Sequence, residues 1–148
     1  MPDKPVEANS EAAKAELKLA FEMANETIVN AAYYMNAASL SKSFTGEALK
    51  TLSTRIETLI ANDTYLQSVL EKRTYKNIQL SNNQPEGQVE VDETWSYIYF
   101  NNSTKLCIGR QPNMRSTETV YFKKNVNGWM ETLFTTGNEP IPQMVTCN

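Results

Sequence analysis

No histidine occurs anywhere in the 148 residues, and that absence bears first on chemistry. Histidine is the commonest general base near neutral pH and the commonest metal ligand. Neither a Ser-His-Asp nor a Cys-His arrangement can therefore be built from this chain, and a zinc site would have to use two cysteines and carboxylates. No residue set stands out as catalytic, so no enzymatic activity and no cofactor is expected. The two cysteines, Cys107 and Cys147, are forty positions apart and the second is the penultimate residue. That spacing is unlike CxxC redox or metal chemistry and leaves two readings. A disulfide would pin the C-terminus, contribute about 4 kcal/mol by closing a loop of that size, and imply an oxidising compartment. The other reading is a pair of buried free thiols. The acidic group Glu86, Glu90, Asp92 and Glu93 matches no calcium-loop spacing, so no metal is expected. The aromatics Trp95, Tyr97, Tyr99, Tyr121, Phe122 and Trp129 have ring faces that stack on sugars, but strands use the same rings to fill a half-buried sheet face. Core packing is the expectation for most of them.

The charge balance narrows the partners. The formal net charge is −3, from 14 basic and 17 acidic residues, with no basic block to neutralise phosphates. Nucleic acid and anionic membrane surfaces are poor partners for such a chain. No apolar run reaches the roughly 18 residues that cross a bilayer, and no short apolar block with a small-residue cleavage site opens the chain. At 148 residues and 41% hydrophobic content, it has the size of one domain with its own core.

The elements that must position these residues read as helices first and strands second. Ser10 is a good N-cap, with Glu11 in the first turn where the helix dipole favours an acid. From there Leu17, Phe21, Ala24, Ile28, Ala31 and Met35 follow a 4-3-4-3-4 spacing that places all six on one core-packing face, expected to hold the sheet. Alanines at 12, 13, 15, 20, 31, 32, 37 and 38 favour helix and leave room for a neighbour on a second face. A second amphipathic helix is expected from near Thr45, with Leu49, Leu52, Ile56, Leu59 and Ile60 at helical spacing, broken by "ANDT". Thr64 and Gln67 fit a capping box, which predicts a short third helix from about Tyr65 to Lys72 carrying Leu66, Val69 and Leu70 inward. At "SNNQPEG" the texture turns to strands. "ETWSYIYF" and "KLCIG" read as one hairpin, with Trp95, Tyr97 and Tyr99 on one face. "TVYFKKN" and "GWMETLF" read as a second, around Asn127-Gly128. Helices before strands, without βαβ alternation, predict an α+β fold: a long N-terminal helix on a four-stranded antiparallel sheet, with short helices in the connection.

This order of parts, with a near-terminal cysteine returning to the sheet, resembles the type IV pilin family over almost the whole chain, and most nearly the mannose-sensitive haemagglutinin type. "EAAKAELKLAFEMANETIVNAA" is similar to the second half of the pilin helix, and "TTGNEPIPQMVTCN" after "KLCIGR" to the disulfide-bounded loop. The family's leader, processing site and apolar anchor are not in the sequence. Residues 1–9 therefore read as a trimmed or engineered start to a single domain spanning 1–148. The resemblance implies a structural subunit held in the inner membrane before assembly and then part of an extracellular filament for adhesion, biofilm formation or motility. It implies other pilin subunits and the assembly machinery as partners, with membrane contact only through the missing segment. It also implies a host or abiotic ligand touched by outward residues such as Arg110, Arg115, Lys123 and Lys124. Two alternatives are a pseudopilin of a type II secretion system and a stand-alone secreted carbohydrate-binding module.

Overall fold

The computed structural model describes residues 10–82, 85–137 and 144–147. Helix α1 covers Glu11–Tyr34 and starts as the sequence predicts: Ser10 is extended, and its side chain accepts a hydrogen bond from the Ala13 amide at 3.1 Å. It ends at Met35, which takes the left-handed conformation (φ 55°) that closes helix C-termini. A 3₁₀ helix over Ala37–Lys42 leads to helix α2, Gly46–Ala61, which carries Ala48, Leu52 and Ile56 inward. Residues 1–9, read above as a trimmed start, lie outside the described residues.

Four antiparallel strands follow in the order β1-β2-β3-β4: β1 is Thr64–Leu80, β2 Glu86–Asn101, β3 Cys107–Asn125 and β4 Gly128–Thr136. The coarse expectation of a helix on a four-stranded antiparallel sheet therefore holds, while two strand assignments are corrected. The short helix expected at Tyr65–Lys72 is the first half of β1, whose register runs from Thr64 opposite Asn101 to Leu80 opposite Gly87. Local cap signals lose here to seventeen residues of ladder hydrogen bonds. Of the three residues expected to point inward, Leu66 packs on the core while Val69 and Leu70 are exposed. In addition, "KLCIG" and "TVYFKKN" do not belong to two strands but to one, β3. The Pro112-Asn113 step between them has turn chemistry, yet the sheet absorbs it as a bulge: Asn113 has φ 55°, and its amide donates to Ser96 Oγ at 3.1 Å. The Asn127-Gly128 hairpin forms as predicted, with Gly128 at φ 102°.

The core is in two parts. Leu17 and Phe21 of α1 pack with Leu80, Val89, Val91, Val120 and Phe122 of the sheet. Further along α1, Ala24, Ala31 and Ala32 pack against Leu40, Phe44, Leu52 and Ile56, with Ile28 beside them. The predicted stripe is thus split: only its first two members hold the sheet, the next three hold α2 and the 3₁₀ helix, and Met35 leaves the face to form the cap. The second small-residue face is partly taken up inside the chain, because Ala32 is buried there. Gly87 sits where a Cβ would come within 2.6 Å of Leu17 Cδ2, so a side chain at this position would have to displace the buried Leu17.

Cys107 and Cys147 are joined in a disulfide, with Cα atoms 6.1 Å apart. The chain returning to it bridges Val145 to Arg110 through a pair of backbone hydrogen bonds of 2.9 and 2.8 Å. No helix among the described residues is long and apolar enough to cross a membrane.

Candidate functional site

Strand alternation places a line of side chains on the sheet face that meets the helices. Val89 and Val91 are buried there, and Glu93, two residues on in the same phase, is buried too. On β3, Glu118 is in phase with the buried Val120 and Phe122 and lies diagonal to Glu93, across the pairs Glu93–Ser116 and Val91–Glu118. On β4, a bulge opposite Tyr121–Phe122 shifts the phase, so that Glu131 and Phe134 both turn toward the same space. The Glu131 backbone is fixed on its other side by the chain entering α2: Thr45 N–H donates to its carbonyl at 2.9 Å, and its own N–H donates to the Ser43 carbonyl at 2.8 Å.

These carboxyls converge on a pocket of about 130 Å³ between the helices and the sheet. Ile28 and Leu52 form its helical wall, and Trp95 with Tyr97, rings stacked at 6.3 Å and 10°, lines it from β2. Arg55 of α2 borders it with its guanidinium 5.2 Å from the Phe134 ring.

The three acids differ in how they are satisfied. Glu93 receives Arg73 Nε at 2.6 Å in a buried ion pair, and the guanidinium also lies 5.0 Å from the Phe21 ring. Glu118 and Glu131 make no side-chain hydrogen bond or ion pair among the described residues. Burial, reinforced by the neighbouring Glu93, pushes the Glu118 carboxyl up to about 7, with Arg55 and Arg73 pulling the other way. Burial, with Glu118 and Glu93 adding to it, pushes Glu131 up to about 9. Glu131, only 3% exposed, is thus held protonated at neutral pH, as expected for an unpaired acid out of water. The Tyr97 hydroxyl is raised by burial and then by Glu118. The pocket wall also contains a donor without an acceptor, the buried Asn25 Nδ2. Chemically, the site offers one neutral acid, one acid poised near neutrality, an unused amide and an aromatic-aliphatic wall.

The residues singled out from sequence lie elsewhere. Arg110, Arg115, Lys123 and Lys124 all fall on β3 but spread along it rather than forming one patch. Arg110 donates to the Thr146 carbonyl at 2.9 Å and so holds the C-terminal segment. Lys123 faces Glu86 at 3.8 Å, and Lys124 pairs with Glu16 at 2.9 Å beside the Trp129 ring. Arg115 alone borders a groove, with Asp92 across it. The four acids weighed for calcium are divided among separate partners: Glu86 with Lys123, Glu90 with Lys76, Glu93 with Arg73, and Asp92 with the Thr117 hydroxyl at 2.7 Å. Among the described residues no group of three His, Cys, Asp or Glu side chains is set to hold a metal ion. Of the aromatics, Phe122 is core as expected, whereas Trp95 and Tyr97 line the pocket. Sequence reasoning missed Glu118 and Glu131. The signal for Glu118 was its phase with Val120 and Phe122; Glu131 carried none, because the bulge breaks the phase.

No protein-family model matches the chain, and no curated protein matches it in sequence. Its fold is similar to that of the intermembrane-space region of the chloroplast protein ARC6, at TM-score 0.69 and 14% identity over 86% of this chain and 97% of that one. It is similar to a periplasmic fragment of TraM, at TM-score 0.56 and 12% identity over 85% and 98% of the two chains. It is also similar to a putative dehydratase of the NTF2-like family from Streptomyces avermitilis, at TM-score 0.56 and 12% identity over 82% and 95%. At such identities the likeness establishes the architecture, an α+β fold shared with NTF2-like proteins, and nothing of the chemistry. None of these three is a type IV pilin.

Proposed function

We propose that this chain is a ligand-binding domain without catalytic activity, working in an oxidising compartment outside the cytoplasm. The observation that carries the binding reading is Glu131: a carboxyl 3% exposed, unpaired among the described residues and aimed into a pocket of about 130 Å³. A buried polar group left without a partner costs about 1–3 kcal/mol, and a fold tolerates that where a bound molecule satisfies the group. The Cys107–Cys147 bond supports the compartment, because disulfides persist where thiols are not kept reduced. The ARC6 and TraM structures, an intermembrane-space region and a periplasmic fragment, agree with it. Against catalysis stands the lack of any histidine to share proton traffic with Glu118. The test is a fragment screen by two-dimensional NMR on the whole chain. Saturable shifts confined to the Trp95 indole and the Leu52 and Glu131 amides are expected; a screen in which no fragment moves them defeats the proposal.

The pilus-subunit reading has one observation in its favour. Leu19 and Met23, both 56% exposed, lie with Ala12 and Ala15 along the outer side of α1, where a helix of another subunit could pack. That reading expects surface filaments to be lost when the gene is deleted, and to be disrupted when Met23→Glu replaces the native residue. Unchanged filaments in electron micrographs of both strains would remove it.

A further inference from the structure

The pocket has more negative groups than positive ones, and the imbalance is specific. Arg73 is spent on Glu93, and Arg55, exposed at the border, is the remaining cation there. Arg55 and Arg73 offset part of the charge on Glu118, whereas Glu131 faces Glu118 and Glu93 with no ion pair among the described residues. Burial and the neighbouring acids favour a proton on Glu131. A bound cation would act differently, turning repulsion between carboxylates into attraction.

The shape of the site says which cation. The carboxyls do not converge on a point, since among the described residues no three acidic, histidine or cysteine side chains could hold a metal ion. A larger charged group suits such an arrangement better than a bare metal ion. Beside the polar Ser68 and Ser116, the wall carries Ile28, Leu52 and Phe134 with the stacked Trp95 and Tyr97, an apolar side that suits a short hydrocarbon body and offers ring faces to a cation. The volume of about 130 Å³ is close to the cavity of about 150 Å³ that accepts benzene in a protein core, so the guest has about six heavy atoms.

We propose that the pocket binds a short organic ammonium ion, a primary amine on an apolar body of about six heavy atoms, with Glu131 and Glu118 as its counter-ions. This rests on the binding reading above and adds the charge and size of the ligand.

The experiment titrates the whole labelled chain near neutral pH with butylamine hydrochloride, n-butanol and sodium butyrate, reading the Trp95 indole and Glu131 amide by NMR. Butylammonium is expected to shift them saturably, n-butanol to bind at least about tenfold more weakly, and butyrate not to bind. Glu131→Gln should weaken butylammonium by about tenfold or more, while the exposed control Glu57→Gln leaves it unchanged. Because the comparison of three probes on the native chain needs no variant, a misfolded Glu131→Gln would not rescue the idea. Equal binding of n-butanol and butylammonium overturns the ammonium inference and leaves the pocket standing. If none of the three probes binds, the ammonium inference falls, and the fragment screen alone decides the pocket. Undiminished binding to a folded Glu131→Gln also overturns it.

Discussion

Glu131 shows what a single side chain can set. An acid whose folded pKa is raised keeps a proton that the unfolded chain has released, so stability is fully present below the unfolded value of 4.5 and drains as pH climbs toward the folded one. For Glu131 that window runs from 4.5 to about 9, and Glu118 adds a loss of the same sign from 4.5 to about 7. Asp63, lowered chiefly by its hydrogen bond from the Ser103 hydroxyl, acts with the opposite sign but below 3.8, outside this range. The protein should therefore be less stable at about pH 8 than at about pH 5, by on the order of 3 kcal/mol in urea denaturation. Glu131→Gln keeps the shape and cannot ionise, so it should flatten most of that slope and stabilise the protein at about pH 8. A wild-type slope of zero would mean that the carboxyl is already ionised and paired. Composition could not show this residue: the absence of histidine directed attention to cysteines and to the acids clustered in sequence near β2, whereas the acids that matter come from three different strands.

The elements were legible to the extent that their signals were local. Ser10 and the Asn127-Gly128 turn each act within a few residues and do in the fold what their types dictate, while the helical stripe forms its face but divides it between the sheet and α2. Ser10→Ala removes one satisfied N–H at the start of α1, and should cost about 1 kcal/mol in chemical denaturation. Gly in its place should cost only a few tenths, and a loss as large as that of alanine would show that the serine acts by something other than capping. The misread pieces are those where distant partners decide. Thr64 and Gln67 spell a capping box, yet Thr64 pairs with Asn101 and Gln67 with Ile98, residues more than thirty positions away. "KLCIG" and "TVYFKKN" read as strands of two hairpins, but β2 pairs along both, and a bulge at Pro112-Asn113 joins them into one strand. The bulge that hides Glu131 is of the same kind, which is why the site was less readable than the fold.

At the scale of the molecule, the disulfide closes a loop that includes the pocket residues Glu118, Glu131 and Phe134, but it ties that loop down outside the pocket wall. The pocket is held by α1, α2 and the two core clusters, while Cys107–Cys147 ties residues 144–147 back to the start of β3, where Arg110 meets Val145. The bond closes a loop of about forty residues that contains most of β3 and all of β4, so it constrains the unfolded chain strongly, by about 4 kcal/mol in the chain-entropy account. Its removal should thus lower global stability without altering the native pocket. The double variant Cys107→Ser, Cys147→Ser is expected to unfold at lower denaturant by that amount. In hydrogen exchange, the Arg110 and Val145 amides should lose protection well before the Val89 and Val120 amides of the sheet core. The same variant should bind butylammonium as the native chain does, once folded. If the sheet core and the Arg110–Val145 bridge lose protection together, the two parts are one cooperative unit, and the compartment's redox state would then govern ligand binding as well as stability.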